Sequence, residues 1–160
     1  MIELKSVGPD DWKLWRELRL AALAEAPYAF GSQLVDWADA PEERWRERLS
    51  VPTAYQVIAS LDGTPVGMAG GFRADEPGVA ELVSMWIAPA GRGQGVGDAL
   101  MSAIEDWARR TGARVLRLSV VDGNDPAHNL YLRSGFADTD ELGDLMPDGI
   151  HREIVMRKAL

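Results

Sequence analysis

The chain has 160 residues, with 25 acidic against 17 basic side chains, a formal charge of −8 and no cysteine. That length suits one domain, residues 1–160, able to bury about two thirds of its unfolded surface; the lack of cysteine excludes disulfides, cysteine-ligated metal sites and a cysteine nucleophile, and the acidic balance disfavours a nucleic-acid partner. The first twenty residues lack the apolar core of a signal peptide and no window approaches the ~20 apolar residues of a membrane span, so a cytoplasmic protein without membrane contact is expected.

"IELKSV" at residues 2–7 alternates as a half-buried strand does. After "GPDD", either Asp10 or Asp11 can cap a helix running to about Glu25, because Leu14, Trp15, Leu18, Ala21 and Ala22 recur at helical spacing. "PEERWRERL" predicts a second helix, with Pro41 in its first turn and acids ahead of bases as the helix dipole prefers. "AYQVIASL", Asp62-Gly63 and "PVGMAGGF" form a hairpin pattern. "VAELVSMWI" is more continuously apolar and is expected to be central in a sheet.

Next come Gly91, Gly93, Gly95 and Gly97 around Arg92, and then a helix whose buried face is Val96, Leu100, Ile104, Trp107 and Ala108. "ARVLRLSV" returns to strand, "DPAHNLYLRSG" is a short helix, and "HREIVMRKAL" closes as a strand. The expected order is β-α-α-β-β-β-α-β-α-β-β, an α/β fold.

A glycine-rich turn feeding a helix is either a plain turn or a phosphate cradle, since a helix N-terminus leaves N–H groups unpaired and carries partial positive charge. No Gly-Lys pair occurs, which excludes a P-loop. The dinucleotide spacing also fails: from Gly91, Gly93 or Gly95 the sixth position is Val96, Asp98 or Leu100, although Asp122 lies near where a ribose-binding acid would fall.

"RGQGVG" at 92–97, preceded by "MWIAP", resembles the Arg/Gln-x-x-Gly-x-Gly/Ala motif of the GNAT superfamily of N-acetyltransferases. "NDPAHNLYLRSGF" resembles the family's next motif through Asn124, Ala127, Leu130, Tyr131, Gly135 and Phe136. The resemblance is strongest over residues 79–136. It implies a mostly antiparallel sheet with a splayed central strand pair, acetyl-CoA as co-substrate and an amine as acceptor. Cofactor contacts would come from the backbone of Met85, Trp86 and Ile87, from Arg92, Gly93, Gln94, Gly95, Val96 and Gly97, and from Asn124, Ala127 and Tyr131. A homodimer through the C-terminal strands is also implied.

Acetyl transfer needs a base, because an alkyl amine with a pKa near ~10.4 is protonated at neutral pH. It also needs a donor for the developing oxyanion and a partner for the leaving thiolate. Tyr131 occupies the family's general-acid place, against the alternative of a packed core tyrosine. Glu81 is the base expected on the central strand, sharing a face with Val83 and Met85; the alternative is a solvated strand residue. Asn124 is either a cofactor ligand, a helix N-cap, or both.

Tyr28, Phe30 and Trp37, with Glu81, are expected to line the acceptor pocket, while Trp15 reads as core. Asp140, Glu141, Asp144 and Asp148 are expected in a loop before the last strand, either solvated or attracting a cationic acceptor. His128 and His151 suggest no metal site. A small-molecule or peptide-like amine is the favoured acceptor; a protein N-terminus or lysine, and a non-catalytic acyl-CoA-binding module, stand as alternatives.

Overall fold

Asp62 and Gly63, both at positive φ (50° and 86°), close the tight turn between β2 (Ala54–Leu61) and β3 (Thr64–Arg73). The computed structural model describes residues 1–30 and 33–160. β1 (Ile2–Ser6) pairs with β2, and β4 (Val79–Ile87) with β3, all antiparallel. β4 then pairs in parallel with β5 (Val115–Val121), and β7 (Arg152–Ala159) lies between β5 and β6 (Ala137–Leu145). The sheet order is β1-β2-β3-β4-β5-β7-β6.

Two apolar layers follow from the two-residue period of the strands. Ile58 and Met68 pack under α1 (Trp12–Glu25) and α3 (Glu42–Arg48), with Trp15, Leu23 and Trp45. Val57 and Ala59, on the opposite face of β2, pack under α4 (Val96–Arg110) and α5 (Asp125–Arg133), with Leu100, Ile104 and Tyr131. The element order matches expectation, apart from an added four-residue helix, α2 (Leu34–Trp37).

β4 and β5 pair at only three positions, Val79↔Val115, Ala80↔Leu116 and Glu81↔Arg117. Beyond Glu81 the two strands part, which is the splay that the family resemblance implied. On its other edge β4 holds an extra residue: Met68↔Trp86 and Gly70↔Val83 leave Ser84 and Met85 both opposite Ala69. This is a β-bulge, and Ser84 sits in it at φ 57°.

Two expectations are corrected. The bulge shifts the alternation by one residue, so Glu81 and Met85 do not share a face: Ala80 and Leu82 belong to the layer under α4, and past the bulge that layer receives Met85 and Ile87 while Trp86 turns to the α1 layer. Asp140, Glu141 and Asp144 lie in β6 rather than in a loop, and only Asp148 is in the following turn. β6 is an exposed edge strand with no buried face to impose a period on its sequence.

The α4 layer includes one close approach that permits no side chain. Tyr55 and Gly71 face each other across β2 and β3, and the Trp107 ring lies over both, stacked on Tyr55 at 5.8 Å; a Cβ on Gly71 would fall 2.6 Å from Trp107 Cζ3. Gly71→Ala is expected to destabilise the fold by about 1–3 kcal/mol through overpacking, as measured by urea unfolding.

Candidate active site

The parted strands open toward the start of α4. Its N-cap, Gly95, is left-handed at φ 84°, and Gly93 is at φ 75°; an L side chain disfavours that conformation by about 1–2 kcal/mol. Gly91 is required for a different reason, since its Cβ would lie 2.8 Å from Val66 Cβ. The outcome is a bare surface on which the six successive backbone N–H groups of residues 93–98 have no protein acceptor among the described residues. A hollow of about 410 Å³ in front of them is lined by Gly93, Gly95, Gly97, Pro126, Leu130 and Arg133, among others. Unpaired amides backed by the positive end of a helix form an anion cradle, and this one fits a pyrophosphate.

Arg92 acts as a strut rather than a free cation. Its Nη2 donates to both oxygens of Glu25 at 2.9 and 3.0 Å, and its Nε donates to the Ile87 carbonyl at 3.0 Å. Trp86 Nε1 donates to the same carboxylate at 3.0 Å. Glu25 therefore ties the end of α1 to the end of β4 and to the glycine loop. The Trp86 hydrogen bond, followed by that of Arg92, holds its carboxyl below the usual range.

At the closed end of the splay, a cavity of about 320 Å³ is lined by Glu81, Ser84, Met85, Phe30, Tyr131, Asp144 and Glu153, among others. Four expected site residues, Glu81, Met85, Phe30 and Tyr131, thus meet there. Tyr131 is only 8% exposed, its ring set edge-on to Phe136. Burial pushes its phenol up to about 12, so it remains protonated at any physiological pH. Glu81 accepts from Arg117 Nη2 at 2.9 Å. Glu153 forms no ion pair among the described residues, and desolvation, then the nearby charges of Asp144 and Glu81, push its carboxyl up.

A third opening, a groove of about 900 Å³, runs between the end of α1 and the end of β5. Tyr28 and Asn124 line it. Asn124 caps α5 without a side-chain cap bond, so its amide is available to a ligand. Ala127 packs against the α4 layer. Trp37 joins none of these cavities; it packs on Trp45 at 4.8 Å beneath the Arg44 guanidinium. Asp148 staples its own turn by accepting from His151 and from two backbone N–H groups, which lowers it to about 2. His128 pairs with Asp138.

Sequence reading missed Arg19, Arg48, Ser84 and Glu153 as cavity residues, while Asp144, weighed as an acid that could attract a cationic acceptor, does line the cavity. Arg19 carried a signal: it follows Trp15 by four residues and precedes Ala22 by three, an arginine on the buried stripe of α1. Glu153 carried none, because its position is set by the pairing of β7 between β5 and β6.

Comparison with known proteins agrees with this geometry. The family model described as "Acetyltransferase (GNAT) family" matches residues 15–136. The chain is 30% identical over 140 residues to a mycothiol acetyltransferase of Renibacterium salmoninarum, covering 87% of this chain but spanning only 41% of that protein's length. It is 32% identical over 114 residues to an IAA acetyltransferase of Azospirillum brasilense, covering 71% of this chain and 73% of that one. The solved structure of a GNAT-family acetyltransferase from Streptococcus pneumoniae superposes with a TM-score of 0.81 at 19% identity, over 100% of this chain and 99% of the other, a likeness of fold.

The Glu25 contacts have a pH signature. Its carboxyl is held low in the fold, so its stabilisation is present above the ordinary carboxylate range and disappears as pH falls through the lowered value. Glu25→Gln is expected to lower stability by less than about 1 kcal/mol at pH 7, with the gap to wild type closing toward pH 3 in urea melts.

Proposed function

The chain belongs to the acetyltransferase (GNAT) family, and from that premise we propose that it moves an acetyl group from acetyl-CoA to a primary amine by direct attack in a ternary complex. One observation carries the reading: six unpaired amides, at residues 93–98, stand at the open end of a strand splay whose closed end holds a buried tyrosine and three carboxylates. A bare anion cradle in line with proton-handling groups suits a phosphorylated acyl donor.

The residues fit that donor along its length. Amides 93–98 hold the pyrophosphate, Asn124 and Ala127 border its path, and the edge of β4 over residues 82–87, released from β5, offers backbone groups to an extended amide-bearing arm. Such an edge otherwise leaves hydrogen-bonding groups unpaired, a costly state away from water. When bound, the donor supplies a thioester carbonyl as electrophile.

The protein's own groups manage the protons. The incoming ammonium must lose one, and Glu153 is the better acceptor: its raised carboxyl narrows the gap to the amine, whereas Glu81 is committed to Arg117. Glu81 keeps a supporting role, since its charge helps hold Glu153 up. Tyr131 Oη retains its proton inside the cavity and offers it to the sulfur that departs. A cavity of about 320 Å³ supports a small acceptor over a bulky one.

The test is release of CoA thiol from acetyl-CoA with a panel of primary amines. Tyr131→Phe is expected to lower kcat by about 10²-fold or more with the fold intact. Because the base works deprotonated, kcat should rise with pH through the raised Glu153 value; Glu153→Gln removes that limb and costs about 10²–10⁴-fold, whereas Glu81→Gln keeps the limb. A wild-type profile without the limb, or one that survives Glu153→Gln, contradicts the assignment.

A further inference from the structure

The cavity beside Tyr131 contains two cations as well as its acids. Arg19 of α1 is only 6% exposed, yet it has no carboxylate partner among the described residues. Its Nη1 is fully enclosed with no hydrogen-bond acceptor, and its guanidinium lies over the Phe30 ring at 4.8 Å. Arg48 of α3 lines the same cavity, and its one side-chain hydrogen bond among the described residues is Nη2 donating to Ser84 Oγ at 3.3 Å. Desolvation and the charge of Arg48 together drag the Arg19 guanidinium down to about 10, so the pair repel each other where water is scarce.

Buried charge without a partner is strongly disfavoured, and a fold keeps it where something outside the chain neutralises it. Three carboxylates line the same cavity, yet among the described residues none forms an ion pair with either arginine. Glu81 pairs with Arg117 instead, and Asp144 and Glu153 repel each other. The cavity is thus polarised, with cations contributed by α1 and α3 and acids by β4, β6 and β7.

We propose that the acceptor is a small zwitterion, a primary amine bearing a carboxylate or another oxyanion, whose anionic end is seated by Arg19 and Arg48 while its amine faces Glu153 and Glu81. This rests on the acetyl-transfer reading above and narrows its acceptor class. The planar guanidinium of Arg19 suits an oxyanion: it borders the cavity, and the enclosed, unanswered Nη1 shows that the protein itself leaves its charge unmatched. The bulge that turns Ser84 toward Arg48 helps fix the second cation. In this arrangement amine and anion are held apart by the cavity's own charges, which presents the nitrogen to the base. The overall charge of −8 is no guide here, because the acids that produce it are mostly on the surface.

The experiment compares matched acceptors that differ only in the anion: alanine against ethylamine, phenylalanine against 2-phenylethylamine, and 2-aminoethylphosphonate against ethylamine, with CoA thiol release as readout. In wild type, kcat/KM is expected to favour the anionic member of at least one pair by roughly 10- to 100-fold, the worth of a charge-assisted hydrogen bond. The carboxylate and phosphonate arms tell which oxyanion is seated. Arg19→Met should bring that ratio toward one. It should also leave Tm equal or higher, because an unpaired buried charge is replaced by an apolar chain of similar length; a clearly lower Tm would make Arg19 a structural residue and overturn the proposal.

Turnover of plain amines with no preference for the anionic partners overturns the zwitterion and leaves acetyl transfer standing. If no amine is turned over, the acetyl-transfer reading fails on its own. Titration of N-acetylalanine against uncharged N-ethylacetamide into the same protein then decides the anion seat: selective binding lost in Arg19→Met supports it, and no binding overturns it.

Discussion

β4 stops pairing with β5 after Glu81, and what the rest of the molecule can do depends on that separation. Three ladder pairs hold the strands at one end. One residue too many in β4, placed opposite Ala69, turns the strand just where the pairing ends. The separation costs backbone hydrogen bonds, and the bulge adds Ser84 at φ 57°, a strained state for a residue with a side chain. Both costs fall in the one place where β4, α4 and α5 converge on open space. Strained, unpaired backbone of this kind is expected where a ligand completes the structure, and the family to which the chain belongs transfers acetyl groups.

The electrostatics are organised around the same gap. At its mouth the amides of residues 93–98 present positive potential, while the arginines beside them are engaged by carboxylates, Arg92 by Glu25 and Arg133 by Asp98. Arg92 thereby serves the loop's shape more than its charge. Deeper in, Tyr131 is held protonated by burial, and Glu153 is pushed toward neutrality by burial and then by its acidic neighbours, so the proposed proton donor and acceptor are distinguished by their surroundings as well as by residue type. Arg19 and Arg48 give the third corner its charge.

Much of this was legible in the sequence, for local reasons. The Asp62-Gly63 turn, the buried stripe of α4 and the glycine loop announce themselves within a few residues, and Tyr131 sits in a short motif with recognisable spacing. What stayed hidden is relational. The bulge exists only as a count of β4 against β3, so no inspection of "VAELVSMWI" alone reveals that Glu81 and Met85 end on different faces. β6 is polar along its length and pairs on one edge only, and it therefore read as an acidic loop. Glu153 gains its environment from burial, from Asp144 on the paired strand β6 and from Glu81 on β4, which is distant in sequence. Arg19 was the readable exception, a charge on an otherwise buried helical stripe.

Hydrogen–deuterium exchange with and without acetyl-CoA tests the central claim most directly, that the parted strands and the cradle are one donor site. Slowed exchange on addition of acetyl-CoA is predicted in two segments, residues 82–87 of β4 and residues 93–98 at the start of α4, because their free amides gain acceptors together. Protection of the cradle without β4, or no protection in either segment, would contradict the account.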